Sequence, residues 1–359
     1  MSLNSARDGT HRSVQVDSSA MAEKTAEKFG ICVVGLGVLS KVAIGPSFKN
    51  SRHCRLAGIV SSSREKATEW QRDFEVPENG VYNFDDFDRI AENPDIDGVF
   101  IVLPNAQHAE YTMRAARAGK HVLCEKPLEV SVAKCEEMIA TCHEMNRVLA
   151  TAYRCHCLPQ HREIIRLAHS GAFGTLRLIE ASFGFHVENP AEPHVKWRLA
   201  QATAGGGALM DVGIYAIQGA CYIAGEDPIE VLATETKMLP EIYGEVDETL
   251  CWTMKFPSGV IANCSTSYTC GVNRLFVTGD KGWGEISPAY GYFDDITART
   301  HAGPIDLPQI DHFAAEMDHF AEACRGETDL LFPGEMGLRD VRIMMAIYES
   351  AKTGGAVKI

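Results

Sequence analysis

Two segments carry side chains whose types and spacing suit proton transfer. Lys126 follows an apolar run, and the proline after it fixes the turn that directs the lysine side chain. Asp211 and Tyr215 are four residues apart in an apparent helix that opens with three glycines, so both should project from one face. A tyrosine can remove a hydroxyl proton when a neighbouring ammonium lowers its pKa, and Lys126 with Tyr215 would form such a pair. The alternative is a core tyrosine whose hydroxyl is satisfied by Asp211.

A glycine-rich turn indicates where a phosphate group could bind. The segment Gly35-Leu36-Gly37-Val38-Leu39-Ser40 directly follows the apolar run Gly30–Val34 and opens a predicted helix. Gly35 permits the tight turn, Gly37 lets the backbone approach a pyrophosphate, and the helix N-terminus offers free N–H groups. A glycine turn occurs in many α/β domains, but its place after a first strand and before further βα units favours dinucleotide binding.

The end of the second predicted strand indicates which dinucleotide binds. It reads Ser61-Ser62-Ser63-Arg64-Glu65-Lys66 and has no carboxylate at Ser61, where NAD-binding domains place an acidic residue for the ribose 2′-hydroxyl. The hydroxyls, with Arg64 and Lys66, could instead donate charge-assisted hydrogen bonds to a 2′-phosphate. NADP(H) is therefore predicted in preference to NAD(H). The alternative is that both basic residues merely solvate the first turn of a helix.

Alternating elements in the first half should position these groups. Short apolar runs alternate with amphipathic stretches from Phe29 onward, which predicts a parallel sheet in a Rossmann domain over residues 29–152. The predicted strands are Gly30–Val34, Arg55–Val60, Gly98–Val102, His121–Cys124 and Val148–Tyr153, and the predicted helices are Leu39–Lys49, Arg64–Phe74, His108–Ala118 and Ser131–Asn146. Loops after these strands carry Leu103-Pro104-Asn105, Glu125-Lys126 and Arg154, and should meet at one cleft because ligands bind beyond the carboxyl edge of such sheets.

The second half has a different order of predicted elements. After the predicted helix Pro159–His169, several β-like runs are separated by turns rather than helices, which predicts an α+β domain over residues 153–359 with a large open, mostly antiparallel or mixed sheet. The predicted strands are Leu176–Phe185, Ile229–Lys237, Thr249–Phe256, Val260–Tyr268 and Arg274–Gly279, and the late helices are Gln309–Arg325 and Gly334–Thr353.

Composition excludes some partners. The 359 residues carry a formal net charge of −14, which repels nucleic acid, and no apolar run approaches the roughly 20 residues of a membrane helix. The twelve cysteines are scattered, as buried thiols in a reducing compartment would be, and no metal site is expected. The first 28 residues are polar and predict a flexible arm or tag rather than a secretory signal. A cytoplasmic protein is expected, or a periplasmic one if Met1-Ser2-Leu3 replaces a natural leader.

These motifs together resemble the glucose–fructose oxidoreductase/inositol dehydrogenase (GFO/IDH/MocA) family. The resemblance runs from about Phe29 to the C-terminus and is most specific in Glu125-Lys126-Pro127 combined with Asp211-Val212-Gly213-Ile214-Tyr215. It implies that Lys126 assists catalysis, Tyr215 is the acid/base and Asp211 orients the substrate. Most members carry histidine at the position of Tyr215, so tyrosine favours the glucose–fructose oxidoreductase branch.

The resemblance also implies a cofactor site, a substrate class and an assembly. The expected reaction is hydride transfer between a sugar or related polyol and NADP that could stay bound while two sugars react in turn. A homodimer or homotetramer through the second sheet is expected. A dihydrodiol or anhydrosugar reductase and a non-catalytic cofactor-binding regulator remain alternatives. The predicted cofactor-binding residues are Gly35, Leu36, Gly37, Val38, Leu39, Ser61, Arg64, Lys66, Leu103, Pro104, Asn105, His108, Glu125, Lys126, Arg154, Trp197, Arg198 and Tyr292.

Overall fold

The first half of the chain forms a six-stranded parallel sheet. The computed structural model describes residues 28–359, so the predicted N-terminal arm lies outside the described residues apart from Lys28. The strands are β1 (Phe29–Val34), β2 (Cys54–Val60), β3 (Val81–Tyr82), β4 (Gly98–Ile101), β5 (His121–Glu125) and β6 (Leu149–Ala152). They lie in the order β3-β2-β1-β4-β5-β6, and every neighbouring pair is parallel. The order reverses direction between β1 and β4, and such a switch point opens a crevice for a ligand.

Helices cover both faces of this sheet because its strands are apolar throughout. All six residues of β1 are buried, as expected for a strand covered on both sides. The helices between the strands are α1 (Arg64–Phe74), α2 (His108–Arg117) and α3 (Val132–Glu144). Ser63 is the N-cap residue of α1, and its side chain accepts a hydrogen bond from the backbone N–H of Lys66.

The second half is built on a nine-stranded mixed sheet. Its strands are β7 (Leu176–Gly184), β8 (Glu230–Thr236), β9 (Thr249–Lys255), β10 (Ile261–Ser267), β11 (Val272–Gly279), β12 (Trp283–Ile286), β13 (Ala298–Thr300), β14 (Gly303–Ile305) and β15 (Val357–Lys358). They lie in the order β14-β13-β12-β11-β7-β10-β9-β8-β15. The β7–β10 pair is parallel, and the other neighbours are antiparallel. The predicted fold class is therefore confirmed for both halves.

One face of this second sheet packs against helices. The helices of the second half are α4 (Pro159–His169), α5 (Ile214–Ala224), α6 (His312–Cys324) and α7 (Gly334–Thr353). Helix α5 lies against β7, and α7 lies against β8. The opposite face presents exposed side chains, among them Leu232 on β8 and Ile261 on β10.

Helix α6 returns from the second half to the first sheet. The Asp318 carboxylate accepts hydrogen bonds from the Ser51 hydroxyl and from the backbone N–H groups of Arg52 and His53, just before β2. The Thr151 N–H of edge strand β6 donates to the carbonyl oxygen of Phe332 at 2.9 Å. The segment containing α6 therefore holds two separate parts of the first sheet.

The predicted elements differ from the structure in detail. The stretch predicted as the helix Leu39–Lys49 has π-helical geometry over Ser40–Ile44 before a short α-helical turn, Gly45–Ser47. The short strands β3, β12, β13, β14 and β15 were not predicted, because two to four residues carry too little periodicity. Within residues 28–359, the stretch Gln201–Ala224 is long and apolar enough to span a membrane, but 83% of its most apolar window is buried inside the fold.

Candidate active site

A cavity of about 920 Å³ opens at the carboxyl ends of the parallel strands. It lies where the glycine turn after β1 meets side chains from the second half, and both halves line it. Its lining residues are Gly35, Leu36, Gly37, Val38, Leu39, Val42, Ser61, Ser62, Ser63, Lys66, Phe84, Val102, Leu103, Pro104, Asn105, Gln107, Tyr111, Glu125, Lys126, His194, Trp197, Arg198, Asp211, Tyr292 and Phe293. Fifteen of the eighteen predicted cofactor-binding residues are in this set, and Arg64, His108 and Arg154 are not.

The glycine turn fits a bound pyrophosphate. Gly35 has φ +98°, and a Cβ there would lie 2.4 Å from the carbonyl oxygen of Val102, so a side chain is excluded. A Cβ on Gly37 would meet no atom within 4 Å, which leaves open space beside the backbone. The Ser40 hydroxyl donates to the Gly35 carbonyl at 2.7 Å and fixes the turn. The helical turn that follows directs its first N–H groups, which have no acceptor within a helix, toward this space.

The serine-rich loop after β2 lies at the far side of the cavity. The Ser61 hydroxyl accepts a hydrogen bond from the Ser63 N–H at 3.1 Å, which orders the loop. Ser61, Ser63 and Lys66 line the cavity, and the Lys66 ammonium forms no ion pair among residues 28–359. Arg64, the first residue of α1, is exposed and is not among the residues that line the cavity.

Lys126 is anchored by Asp211 at the inner end of the cavity. Its ammonium donates to the Asp211 backbone carbonyl at 2.5 Å and to the carboxylate at 3.3 Å. Burial by itself would lower the pKa of Lys126, but Tyr292, Asp211 and Glu125 outweigh burial and raise that pKa. The lysine therefore stays charged although it is buried.

The Asp211 carboxylate is shared by three side chains. Besides Lys126, it accepts a hydrogen bond from the Tyr268 hydroxyl at 3.1 Å and pairs with the Arg198 guanidinium at 3.3 Å. Burial alone would raise the pKa of Asp211, but Lys126 and Arg198 dominate and hold it below its ordinary value. A carboxylate held between two cations is well placed to orient a hydroxyl-bearing ligand.

Tyr215 lies behind the wall of the cavity rather than in it. The side chain is buried, with 5% of the residue exposed, and the Lys126 ammonium lies 5.1 Å from the centre of its ring. The predicted lysine–tyrosine contact is thus made through the ring face. Leu209–Gly213 has π-helical geometry, and the Lys126 ammonium contacts both the Asp211 carboxylate and the face of the Tyr215 ring. The Tyr215 hydroxyl is 3.4 Å from that of Tyr292, which lines the cavity.

His108 and Arg154 support the site from within the protein. The two ring nitrogens of His108 lie 2.9 Å and 3.0 Å from the carbonyl oxygens of Pro127 and Leu103, so the histidine holds both loops together. Burial lowers the pKa of His108, which keeps the ring neutral. Arg154 is 2% exposed and stacks its guanidinium over the ring of Tyr292 at 4.3 Å.

Several site residues were missed from the sequence. Ser62, Ser63, His194 and Phe293 line the cavity, and Tyr268 contacts Asp211 from outside the lining set. Ser62 and Ser63 belong to the loop already singled out and could have been included. His194 lies in the short helical turn Pro193–Lys196, Phe293 in an irregular segment and Tyr268 directly after β10, and no local pattern indicates a shared cavity at any of these places.

Asp247 was also missed, and it orders the glycine run before Asp211. Its carboxylate accepts hydrogen bonds from the N–H groups of Gly207 and Leu209 at 2.6 Å and 2.7 Å, and from the Tyr348 hydroxyl at 2.6 Å. The turn that carries Asp211 is thereby fixed to helix α7. A lone aspartate 36 residues further along the chain gives no sequence signal for this role.

The fold and the cavity define a dinucleotide-binding oxidoreductase. Residues 29–153 match the profile described as "Oxidoreductase family, NAD-binding Rossmann fold", and residues 161–285 match the GFO/IDH/MocA C-terminal domain. The chain therefore belongs to the GFO/IDH/MocA oxidoreductase family. The predicted family and enzyme class are confirmed.

Relatives of known description are similar over most of their length. D-xylose 1-dehydrogenase [NADP(+)] of Haloarcula marismortui is 30% identical over 91% of this chain and 92% of its own. The 1,5-anhydro-D-fructose reductase of Ensifer adhaerens is 27% identical over 85% of this chain and 91% of its own. Among solved structures, the aldose–aldose oxidoreductase of Caulobacter crescentus, complexed with glycerol, has a TM-score of 0.89 and 39% identity, covering 93% of this chain and all of that one.

Proposed function

We propose that this protein transfers hydride between an aldose, or a related polyol, and NADP(H). The observation that carries the proposal is the cluster of Lys126, Asp211 and Arg198 at the inner end of a cavity that begins at the glycine turn. A charged donor and an ionised acceptor there can hold neighbouring hydroxyls of a sugar in one orientation. The D-xylose dehydrogenase and aldose–aldose oxidoreductase relatives support this substrate class.

Asp211, Lys126 and Tyr215 have different roles in substrate binding and proton transfer. Asp211 accepts a hydrogen bond from a sugar hydroxyl. Lys126 places its positive charge beside the sugar oxygen that loses or gains the proton. Tyr215 is the proton carrier, and the catalytic step needs its hydroxyl connected to the substrate oxygen. A nicotinamide ring, when bound, takes up or returns the hydride.

The proposed cofactor is NADP(H) rather than NAD(H). Ser61 directly follows β2 and is not a carboxylate, and the Lys66 ammonium, which forms no ion pair with the rest of the described chain, lies at the same part of the cavity. A 2′-phosphate would accept hydrogen bonds from both, and a carboxylate that would repel it is missing from Ser61–Ser63. The NADP-linked xylose dehydrogenase supports the same assignment.

A direct assay tests the proposed function. The purified protein is incubated with NADP and a panel of aldoses while nicotinamide absorbance near 340 nm is followed. We expect absorbance to rise with at least one aldose. No change with any aldose, by a protein that binds NADP, would refute the proposal.

We propose further that the cofactor stays bound while a second sugar is reduced. The purified protein is denatured without added cofactor, and the released nucleotide is identified by mass spectrometry. Recovery of near-stoichiometric NADP(H), and a sugar alcohol formed together with an oxidised sugar, are the expected results. Cofactor-free protein that needs added NADP at every turnover would contradict cycling.

Reduction of an anhydrosugar or oxidation of a dihydrodiol is the second candidate reaction. The Ensifer reductase supports it, as does the mouse trans-1,2-dihydrobenzene-1,2-diol dehydrogenase, which is 26% identical over 73% of this chain. The same proton and hydride steps would serve these substrates. Including an anhydroketose and a cyclic diol in the panel separates the reactions, because the preferred substrate will have the higher kcat/KM.

A further inference from the structure

A buried positive charge beside the site, the Arg154 guanidinium, forms no direct ion pair among residues 28–359, although the buried carboxyl groups of Glu125 and Glu316 lie near enough to act on it. The Arg154 guanidinium donates to the Gly291 carbonyl at 3.3 Å and lies 2.7 Å from Nδ1 of His312. Its Nε atom has no hydrogen-bond partner, and no Asp or Glu among residues 28–359 forms an ion pair with it. A buried cation is costly unless a negative charge compensates it at some stage.

Two tyrosines occupy the space where that negative charge can form. The Arg154 guanidinium carbon lies 5.2 Å from the ring centre of Tyr215 and 4.3 Å from that of Tyr292. The two phenol oxygens are 3.4 Å apart, within reach of a hydrogen bond. Hydrogen bonds used in catalysis are often long before substrate binds and tighten afterwards.

The two tyrosines differ in their access to substrate. Tyr292 is half-buried and lines the cavity together with Lys126, whose pKa it helps to raise. Tyr215 is not among the residues that line the cavity. Burial raises the pKa of Tyr215 well above its ordinary value, and Arg154 is the strongest opposing charge. A proton moving between Tyr215 and a bound sugar therefore has a direct route through the Tyr292 hydroxyl.

We infer that Tyr292 is a further catalytic residue, which exchanges the proton with the sugar hydroxyl and passes a proton to or from Tyr215. This inference rests on the proposed function. In the oxidative direction the C–H electron pair leaves with the hydride to the nicotinamide. Tyr215 first releases its own proton to solvent, and the hydroxyl proton of the sugar then moves to Tyr292 while the proton of Tyr292 moves to the Tyr215 phenolate beside Arg154. In the reductive direction both protons move back, and the phenolate forms on Tyr215 beside Arg154.

Tyr292→Phe tests the relay because it removes the hydroxyl and keeps the ring over Arg154. We expect kcat to fall about 100-fold or more, since acid–base groups contribute roughly 10²–10⁴-fold. The dissociation constant for NADP, measured by quenching of tryptophan fluorescence, should stay within about threefold. A second test uses wild type under conditions where the chemical step limits the rate. A plot of kcat against the deuterium fraction of the solvent should be curved, because two protons move in the same step.

The matched control is Tyr290→Phe, two residues earlier. The Tyr290 ring lies 5.7 Å from that of Tyr215, but its hydroxyl has no hydrogen-bond partner, and we expect kcat to stay within about twofold. A Tyr292→Phe variant that keeps full kcat, or that loses only NADP affinity, overturns the relay. A linear dependence on deuterium fraction in wild type overturns it without any variant. Wild type inactive toward every substrate would instead refute the proposed function.

Discussion

Lys126 contacts both the backbone and the side chain of Asp211, so its ammonium has a fixed position at the inner end of the cavity. This position could not be derived from the sequence, which predicted a lysine near Tyr215 but not which atoms it would meet. Strand ends and a proline indicate where a residue lies along the chain. The partner of its side chain depends on how two distant segments pack.

Lys126→Met should reduce kcat by about 100-fold or more, because the charge beside the reacting oxygen is lost while the length of the side chain is kept. NADP binding should change much less, since the phosphate-binding turn is untouched. Steady-state kinetics and a fluorescence titration with NADP check this. Lys352→Met, on the exposed last turn of α7, is the control and should match wild type. Equal losses in the two variants would contradict the assigned role.

Glu316 on α6 is fully buried, and neither carboxylate oxygen has a hydrogen-bond partner among residues 28–359. Burial raises its pKa well above the ordinary value, so the folded protein keeps a proton that the unfolded chain loses above about pH 4.3. Its contribution to stability is therefore complete below that pH and is lost as pH rises towards the folded-state pKa.

Replacement by Glu316→Gln should remove this pH dependence. Relative to the variant, wild type should lose thermal stability as pH rises above about 5, by up to about 1.4 kcal/mol per pH unit. Melting temperatures across that range measure the difference. The exposed Glu349→Gln on α7 serves as the control. Parallel curves for wild type and Glu316→Gln would show that the carboxyl does not titrate as argued.

At the scale of elements, the long strands and helices were predictable because their hydrophobic period is sustained over many residues. Strand β7 was predicted as Leu176–Phe185 and spans Leu176–Gly184. The π-helical turn Leu209–Gly213 was not predictable, since α and π geometry share the same hydrophobic pattern over five residues.

The loop between β2 and α1 should determine cofactor preference. Ser61→Asp places a carboxylate where a 2′-phosphate would sit, so kcat/KM for NADP should fall about 10- to 100-fold and that for NAD should rise. Kinetics with both dinucleotides measure the ratio. Arg64→Ala should leave the ratio unchanged, because Arg64 lies outside the cavity. A large effect of Arg64→Ala on this ratio would instead support the prediction from sequence that Arg64 binds the 2′-phosphate.

At the scale of the molecule, we propose that the exposed face of the second sheet joins two copies of the chain. Leu232 and Ile261 are 50% and 41% exposed on this face, although β8 and β10, which carry them, are both paired with a strand on each side. Large apolar side chains exposed on an uncovered sheet face are typical of an interface.

Leu232→Glu should convert an assembled protein to single chains, because a buried unpaired carboxylate opposes association. Light scattering coupled to size-exclusion chromatography measures the mass. Met238→Glu, 75% exposed in the segment after β8, is the control and should leave the assembly intact. A wild-type protein that already has the mass of one chain would contradict the proposed interface.

The return of α6 to the first sheet also bears on the order in which the chain can fold. Asp318 supplies acceptors for the start of β2, and Phe332 supplies one for β6, yet both are made long after those strands leave the ribosome. The dinucleotide-binding half therefore lacks these hydrogen bonds at β2 and β6 until almost the whole polypeptide has been synthesised. A fragment ending near residue 153 should consequently depend on chaperones, whereas the full chain supplies its own closing segment.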